Sequence, residues 1–169
     1  MSSLDRPAGN DFPAPFVSST MRVEEAWIDY NGHLNMAYYN VLFDRAADEF
    51  FGLLGVGADY LATHGNSTFT AEIHVRYVRE IHAGDPVNVT IQLIAHDAKR
   101  LHFFQALHHA DEGWLSATSE NMTLHVDMGI RKTAPFPDAV ARRVAAMMDA
   151  HRHLPLPDGA GRRIAMRQD

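Results

Sequence analysis

One long amphipathic helix pattern followed by four strand-like runs constrains the fold of this chain most. Residues 36–55 place apolar side chains three and four positions apart over about five turns, and Gly55 is a typical helix terminator. Alternating strand-like runs, separated by turn sequences, follow at 67–79, 86–97, 99–110 and 113–127. A helix and an antiparallel sheet can bury each other's apolar faces. We therefore predict an α+β fold in which a curved antiparallel sheet wraps a long central helix.

The rest of the chain indicates one domain with two appended ends. A length of 169 residues suits a single domain with its own core. Residues 1–15 are rich in Pro, Gly and Ala and predict a flexible arm, whereas 16–134 form the domain and begin with a strand at 17–27. Residues 135–169 predict a short helix and a basic tail. A sheet of this size leaves one edge uncovered, which predicts self-association.

Composition excludes several classes of partner. The 15 Lys and Arg residues against 21 Asp and Glu residues give a net charge of −6, which disfavours a nucleic-acid or anionic-membrane surface. Without Cys there is no disulfide and no thiolate nucleophile. No apolar run approaches the roughly 20 residues of a membrane span, and the first residues lack the features of a secretory signal. We expect a cytoplasmic protein with no nucleic-acid and no membrane partner.

The segment WIDYNGHLNMAYY at 27–39 joins the first predicted strand to the long helix. It brings Asp29, Asn31, His33 and Asn35 close together around Gly32. A structural turn needs only about one or two such residues. This density of short polar side chains indicates a turn that holds a reactive group.

On this motif the chain resembles the hotdog-fold acyl-CoA thioesterases, and more narrowly the 4-hydroxybenzoyl-CoA thioesterase-like family. The family pattern Asp-x-x-Gly-(His)-x-Asn followed by Tyr reads here as residues 29–35 with Tyr38 and Tyr39 behind, and the Gly-Asp pair at 84–85 also fits. The resemblance implies a hotdog fold and hydrolysis of an acyl-CoA to the free acid and CoA without a cofactor. It also implies a homodimer or homotetramer with active sites shared between subunits.

Longer stretches are similar to the thioesterases linked to carnitine degradation, some of which are fused to carnitine dehydrogenases. The stretches are IDYNGHLNMAYYN, STFTAEIHVRYVREIHAGD and DAKRLHFFQALHHADEGWLSATSENM. This narrower resemblance implies a short acyl-CoA as the substrate, and betainyl-CoA before others.

Thioester hydrolysis requires an activated water or a carboxylate nucleophile, together with donors for the developing oxyanion. We predict Asp29 as the carboxylate, acting either as nucleophile or as general base. Asn31 is expected to orient the water, and His33 to donate to the oxyanion or to orient Asp29. Gly32 and His33 are expected to open the helix with free backbone N–H groups, and Asn35 to tie the turn. The alternative is that Asp29 or Asn31 only caps the helix.

A second set of residues is predicted to contact the substrate. Aromatic faces bind quaternary ammonium groups, and the aromatic residues of the motif are Trp27, Tyr30, Tyr38 and Tyr39. Their alternative role is core packing. On the strand after the helix, alternation places Thr68 and Glu72 on one face, towards the helix entrance of a partner subunit or towards solvent.

Other charged and titratable residues give weaker indications. The histidines of the later strands lack tight ligand spacing, so no metal site is predicted; they are His102, His108, His109 and His125. The cations that could meet CoA phosphates are Arg76, Arg79, Lys99 and Arg100.

Two alternative functions remain open at this stage. The hotdog fold also hosts enoyl-CoA hydratases, but hydratases resembling that branch space Asp and His five apart, whereas Asp29 and His33 are four apart. A non-catalytic acyl-CoA-binding protein is the second alternative. Steady release of free thiol from acyl-CoA separates both from a thioesterase.

Overall fold

The computed structural model describes residues 12–166, so most of the predicted arm at 1–15 lies outside the described residues. The helices are α1 (Tyr39–Leu54), α2 (Tyr60–His64) and α3 (Asp138–His151). The strands are β1 (Phe16–Val17), β2 (Met21–Arg22), β3 (Asn66–Tyr77), β4 (Pro86–His96), β5 (Arg100–His109), β6 (Leu115–Asp127) and β7 (Lys132–Thr133). The long helix and the four long strands are confirmed close to their predicted limits.

The strands form one antiparallel sheet in the order β1-β4-β5-β6-β3, with β2 also on β4 and β7 also on β6. Register shifts interrupt the pairing between Thr70 and Glu72 in β3 and between Leu93 and Ala95 in β4. Such bulges bend a strand and increase its twist. The sheet therefore curves, and β3 lies at its edge.

Helix α1 packs its apolar stripe against this sheet. Leu42, Ala46, Phe50 and Leu54 are fully buried at successive four-residue spacings. The Phe50 ring lies 5.6 Å from that of Phe103 on β5. The helix ends where predicted, because Gly55 adopts a left-handed conformation with φ of 83° and caps its last turn.

The predicted strand at 17–27 is wrong as a continuous element. It is replaced by β1, β2 and a 3₁₀ turn at Glu25–Trp27. Between the two short strands, the Ser18 hydroxyl accepts a hydrogen bond from the backbone N–H of Val89 at 3.0 Å. A side chain thus takes over bonding that a strand backbone would provide, which interrupts the ladder.

The C-terminal residues cross the face of the sheet opposite α1. The Gln92 amide donates to the carbonyl of Pro155 at 3.2 Å, and the backbone N–H of Gly161 donates to the Glu120 carboxylate at 2.8 Å. No helix in the described part of the chain is both long and apolar enough to cross a membrane.

Candidate active site

The loop before α1 folds around the carboxylate of Asp29. Its Oδ1 accepts a hydrogen bond from the backbone N–H of Asn31 at 2.8 Å. The carbonyl of Asp29 accepts from the N–H of Gly32 at 3.0 Å, and its own N–H donates to the carbonyl of His33 at 3.1 Å. Gly32 has φ of +83°, a conformation that favours glycine. One carboxylate oxygen of Asp29 therefore holds the turn, and the other makes no hydrogen bond within residues 12–166.

Long-range contacts hold this loop in place. Leu34 is buried, and its N–H donates to the carbonyl of Ile81 beyond β3 at 2.8 Å. The N–H of Asn35 donates to the carbonyl of Trp27 at 3.0 Å, closing a bridge between Ile28 and Leu34. The loop is thus anchored both to the segment before it and to the end of β3.

The prediction that Gly32 and His33 open the long helix is wrong, because α1 begins at Tyr39. The intervening residues form turns, in which Oδ1 of Asn35 accepts from the N–H of Ala37 at 2.9 Å. The N–H of Gly32 is already bonded inside the loop. The backbone N–H of His33, by contrast, has no acceptor among the described residues.

Asp29 lines an open cleft of about 380 Å³ between this loop, the start of α1 and the end of β3. Its walls are formed by Asp29, His33, Leu34, Met36, Tyr39, Tyr77, Val78, Arg79 and Glu80. Of the predicted site residues, the structure thus brings together Asp29, His33 and Tyr39. Arg79, a predicted candidate for CoA phosphates, also lies here.

Sequence reasoning missed Tyr77 and Glu80. The Tyr77 ring lies 5.0 Å from the Tyr39 ring in an edge-to-face arrangement, and its hydroxyl donates to the carbonyl of Met36 at 2.9 Å. Alternation groups Tyr77 with Ile73 and Val75 on one face of β3, but it does not indicate that this face meets the Asp29 loop.

The cleft is lined by acidic, basic and phenolic side chains. Burial raises the pKa of the Tyr39 phenol; the Ser116 side chain opposes this shift, and the charges of Tyr77 and Glu80 add to it. Burial also raises the pKa of Tyr77. The Arg79 guanidinium lies 3.9 Å from the centre of the Trp114 ring, which holds this cation at the rim.

The remaining predicted residues lie elsewhere in the monomer. Trp27 is buried and stacks on Tyr38 at 5.8 Å, and Tyr30 is 97% exposed. Asn31 is exposed, with only its backbone bonded to Asp29. Thr68 is half-buried on β3, and Glu72 lines a separate cavity on the opposite face of the sheet. Their predicted contacts with substrate stay predictions.

Within residues 12–166, no group of three or more His, Asp or Glu side chains could hold a metal ion. The His102 imidazole instead pairs with the Glu120 carboxylate at 2.7 Å, and His125 bonds the Tyr60 hydroxyl at 2.9 Å. These histidines are engaged in local structure.

The chain matches known proteins in sequence and structure. The model of the thioesterase-like superfamily matches residues 23–144. The betainyl-CoA thioesterase of Pseudomonas aeruginosa is 41% identical over 128 residues, which cover 76% of this chain and 80% of that protein. The L-carnitine dehydrogenase/betainyl-CoA thioesterase of Rhizobium meliloti is 36% identical over 144 residues, covering 85% of this chain but only 29% of that longer protein.

A Staphylococcus aureus protein solved in complex with CoA superposes with a TM-score of 0.83 at 27% identity, covering 93% of this chain and 99% of that one. The predicted hotdog fold and the predicted thioester hydrolase are confirmed by these matches. The hydratase and the non-catalytic alternatives find no support in them. By the match over 23–144 and the identity to a full-length relative, the chain belongs to the thioesterase-like superfamily.

Proposed function

We propose that this thioesterase hydrolyses a short acyl-CoA, betainyl-CoA before others, and that Asp29 carries the reaction. The observation on which this rests is the position of Asp29. One carboxylate oxygen is bonded within the turn, the other makes no hydrogen bond within residues 12–166, and Asp29 lines the open cleft. A carboxylate held in this way can attack a carbonyl or remove a proton from water without first being reoriented.

The reaction adds the elements of water across the thioester. As general base, Asp29 takes a proton from water while the water oxygen bonds to the carbonyl carbon; the C–S bond then breaks and the proton passes to the CoA sulfur. As nucleophile, an Asp29 oxygen bonds to the carbonyl carbon and the C–S bond breaks, which releases the CoA thiolate and leaves a mixed anhydride. Water then adds to the anhydride, releases the free acid, restores the Asp29 carboxylate and supplies the proton that the thiolate takes up. In both cases the carbonyl oxygen becomes negatively charged, and the N–H of His33, which has no acceptor within residues 12–166, is the donor proposed to stabilise it.

The choice of betainyl-CoA rests on relatives whose names state that activity. The cleft volume of about 380 Å³ is compatible with a compact acyl group, and its walls include Tyr39 and Tyr77. Arg79 at the rim is the proposed contact for a CoA phosphate. We also place the reaction in the cytoplasm, where acyl-CoA is found.

The proposed assembly is a homodimer or a homotetramer. Strand β3 has twelve residues and pairs on one side only, with β6, within the described part of the chain. Its exposed apolar side chains include Phe69 and Ile73, each 45% exposed. Pairing through this edge would bury them and bring Thr68 and Glu72 towards another subunit.

A panel of acyl-CoAs tests the proposed function. Release of free CoA is followed with a thiol reagent for acetyl-, betainyl-, aromatic and long-chain acyl-CoAs at equal concentrations. We expect turnover of short esters, with the highest kcat/KM for betainyl-CoA. Faster hydrolysis of long-chain esters would reject the proposed substrate, and the absence of thiol release from every ester would reject the reaction.

A further inference from the structure

The cleft wall that is not formed by the Asp29 loop or by α1 carries an aromatic ring and a carboxylate that hydrolysis does not require. It is built by the end of β3 and the residues after it, with the Tyr77 ring 47% exposed and the Glu80 carboxylate nearby. Neither side chain is needed to activate water or to stabilise an oxyanion. An aromatic face and a negative charge at one cleft wall are the two groups that attract a cation.

We propose that Tyr77 and Glu80 recognise the quaternary ammonium end of the acyl group and determine the specificity of this enzyme for a cationic acyl-CoA. Tyr39 acts as a positioning residue, because it is 3% exposed and packs its ring against that of Tyr77. This inference rests on the proposed function, since it assumes that the acyl group is cationic.

The geometry of the substrate places its recognition in this cleft. In betainyl-CoA, the quaternary nitrogen is two bonds from the thioester carbonyl carbon. Whatever holds the cation must therefore line the same cavity as Asp29, as both Tyr77 and Glu80 do. A trimethylammonium group donates no N–H hydrogen bond, so ring faces and carboxylates are the groups able to select it.

Among the aromatic residues predicted from the motif, Tyr39 lines this cleft but is 3% exposed, so its ring offers little surface to a ligand. Trp27 is buried against Tyr38, and Tyr30 points into solvent. Tyr77 is held at the cleft by its hydrogen bond to the carbonyl of Met36. Because Leu34 bonds to Ile81, the segment that carries Glu80 is attached directly to the loop of Asp29.

Other charges in and around the cleft set the expected size of the effect. The Glu80 side chain is 62% exposed and lies 3.6 Å from Nε2 of His82, so water and salt screen its attraction for a ligand. The positive charge of Arg79 opposes a bound cation, and stacking on the Trp114 ring fixes the position of that charge without removing it. We therefore expect the Tyr77 ring to contribute more to selectivity than the Glu80 charge.

The test compares betainyl-CoA with tert-butylacetyl-CoA, in which a neutral tert-butyl group of the same shape replaces trimethylammonium. The selectivity ratio is kcat/KM for the first divided by kcat/KM for the second. Tyr77→Leu should lower this ratio by roughly three- to thirtyfold, whereas Tyr77→Phe keeps the ring and should leave it nearly unchanged. Glu80→Gln should lower it about threefold, and less at high salt. Glu25→Gln, an exposed change of the same kind outside the cleft, is the matched control.

The outcomes separate this inference from the proposed function. Equal losses on both esters in Tyr77→Leu, together with an unchanged ratio in Glu80→Gln, would show that these residues only pack, and would overturn the inference while the substrate assignment stands. Wild-type protein that hydrolyses tert-butylacetyl-CoA but not betainyl-CoA would reject the proposed substrate and the inference with it.

Discussion

The two carboxylate oxygens of Asp29 have different roles, because one stabilises the turn and the other is proposed to react. Oδ1 accepts a hydrogen bond from the N–H of Asn31 and so maintains the turn, while the other oxygen makes no hydrogen bond within residues 12–166 and the residue lines the cleft. The sequence alternatives of catalytic carboxylate and structural cap are therefore not exclusive at this residue. An asparagine at this position can still accept the Asn31 hydrogen bond, so the two roles can be separated by substitution.

Gly32 is expected to be essential to the shape of this loop. Its φ of +83° is unfavourable for any residue with a Cβ, although among the described residues no atom beyond its own chain neighbours lies within 4 Å of where that Cβ would be placed. Gly32→Ala should thus cost about 1 kcal/mol through backbone strain alone, and should lower kcat by moving Asp29 and His33. Thermal unfolding and steady-state kinetics measure the two effects. Gly55→Ala, at the same φ of 83° at the opposite end of α1, is the control for strain without loss of activity.

The residues of the Asp29 loop could be found from the sequence because they are contiguous. Tyr77 and Glu80 could not, because only the folded chain brings them to the cleft, through contacts such as the bond from Leu34 to Ile81. The aromatic residues of the motif adjoin Asp29 in the sequence, and their contacts with substrate stay predictions. The 3₁₀ turn at Glu25–Trp27, however, directs Trp27 into the core, a local conformation that the strand-like pattern does not reveal.

At the scale of elements, the long strands could be predicted because alternation and turn residues are local signals. The segment at 17–27 could not, because its conformation depends on the edge of β4 and on the Ser18 side chain that bonds to it. Helix α1 begins three residues later than predicted, because Oδ1 of Asn35 accepts from the N–H of Ala37 and forms a separate turn first.

The packing of α1 on the sheet predicts a large effect for one substitution. Phe50 is fully buried and its ring lies within 6 Å of those of Phe16, Phe51 and Phe103. Phe50→Ala should reduce the free energy of unfolding by about 3–5 kcal/mol, because it removes apolar contacts and leaves a cavity. Urea unfolding measures this loss. Asp44→Ala, on the exposed face of the same helix, should change stability by less than about 0.5 kcal/mol.

The contact between α3 and the sheet predicts a dependence of stability on pH. Nδ1 of the fully buried His151 accepts from the N–H of Leu93, and Nε2 donates to the carbonyl of Pro13. Burial lowers the pKa of His151 below its ordinary 6.5, against the opposing bond to Pro13. Below pH 6.5 the unfolded chain therefore binds a proton that the folded chain excludes. The free energy of unfolding consequently decreases as the pH is lowered from about 6.5, until the pH is below the pKa of His151 in the folded protein.

This dependence is measured by urea unfolding at pH 7.5 and at lower pH. His151→Gln should reduce the pH-dependent part of the stability, even though it lowers stability overall. His153→Gln, a change at an exposed neighbour, should leave the dependence as it is in the wild type. If the free energy of unfolding of the His151 variant depends on pH as in the wild type, the loss of stability in acid belongs to other groups. One such group is His108, because burial also lowers its pKa.

At the scale of the whole molecule, the edge of the sheet predicts assembly. Ile73 is 45% exposed on β3, and Val17 is 50% exposed on β1 at the opposite edge. A lysine at the interacting edge should prevent strand pairing. Ile73→Lys should convert the particle measured by light scattering to the monomer mass of 18.9 kDa, whereas Val17→Lys should leave it unchanged. The reverse result would assign the interface to the β1 edge. A monomeric wild-type protein would exclude an interface at either edge.

The central claim is that Asp29 performs the hydrolysis, and single-turnover and steady-state kinetics of Asp29→Asn test it most directly. Asparagine keeps an oxygen for the Asn31 N–H but can neither remove a proton nor attack the thioester. We predict a loss in kcat on the order of 10²-fold or more with nearly unchanged substrate affinity, while Asp111→Asn, in an exposed turn away from the cleft, retains full activity. Turnover by Asp29→Asn close to that of the wild type would contradict the claim.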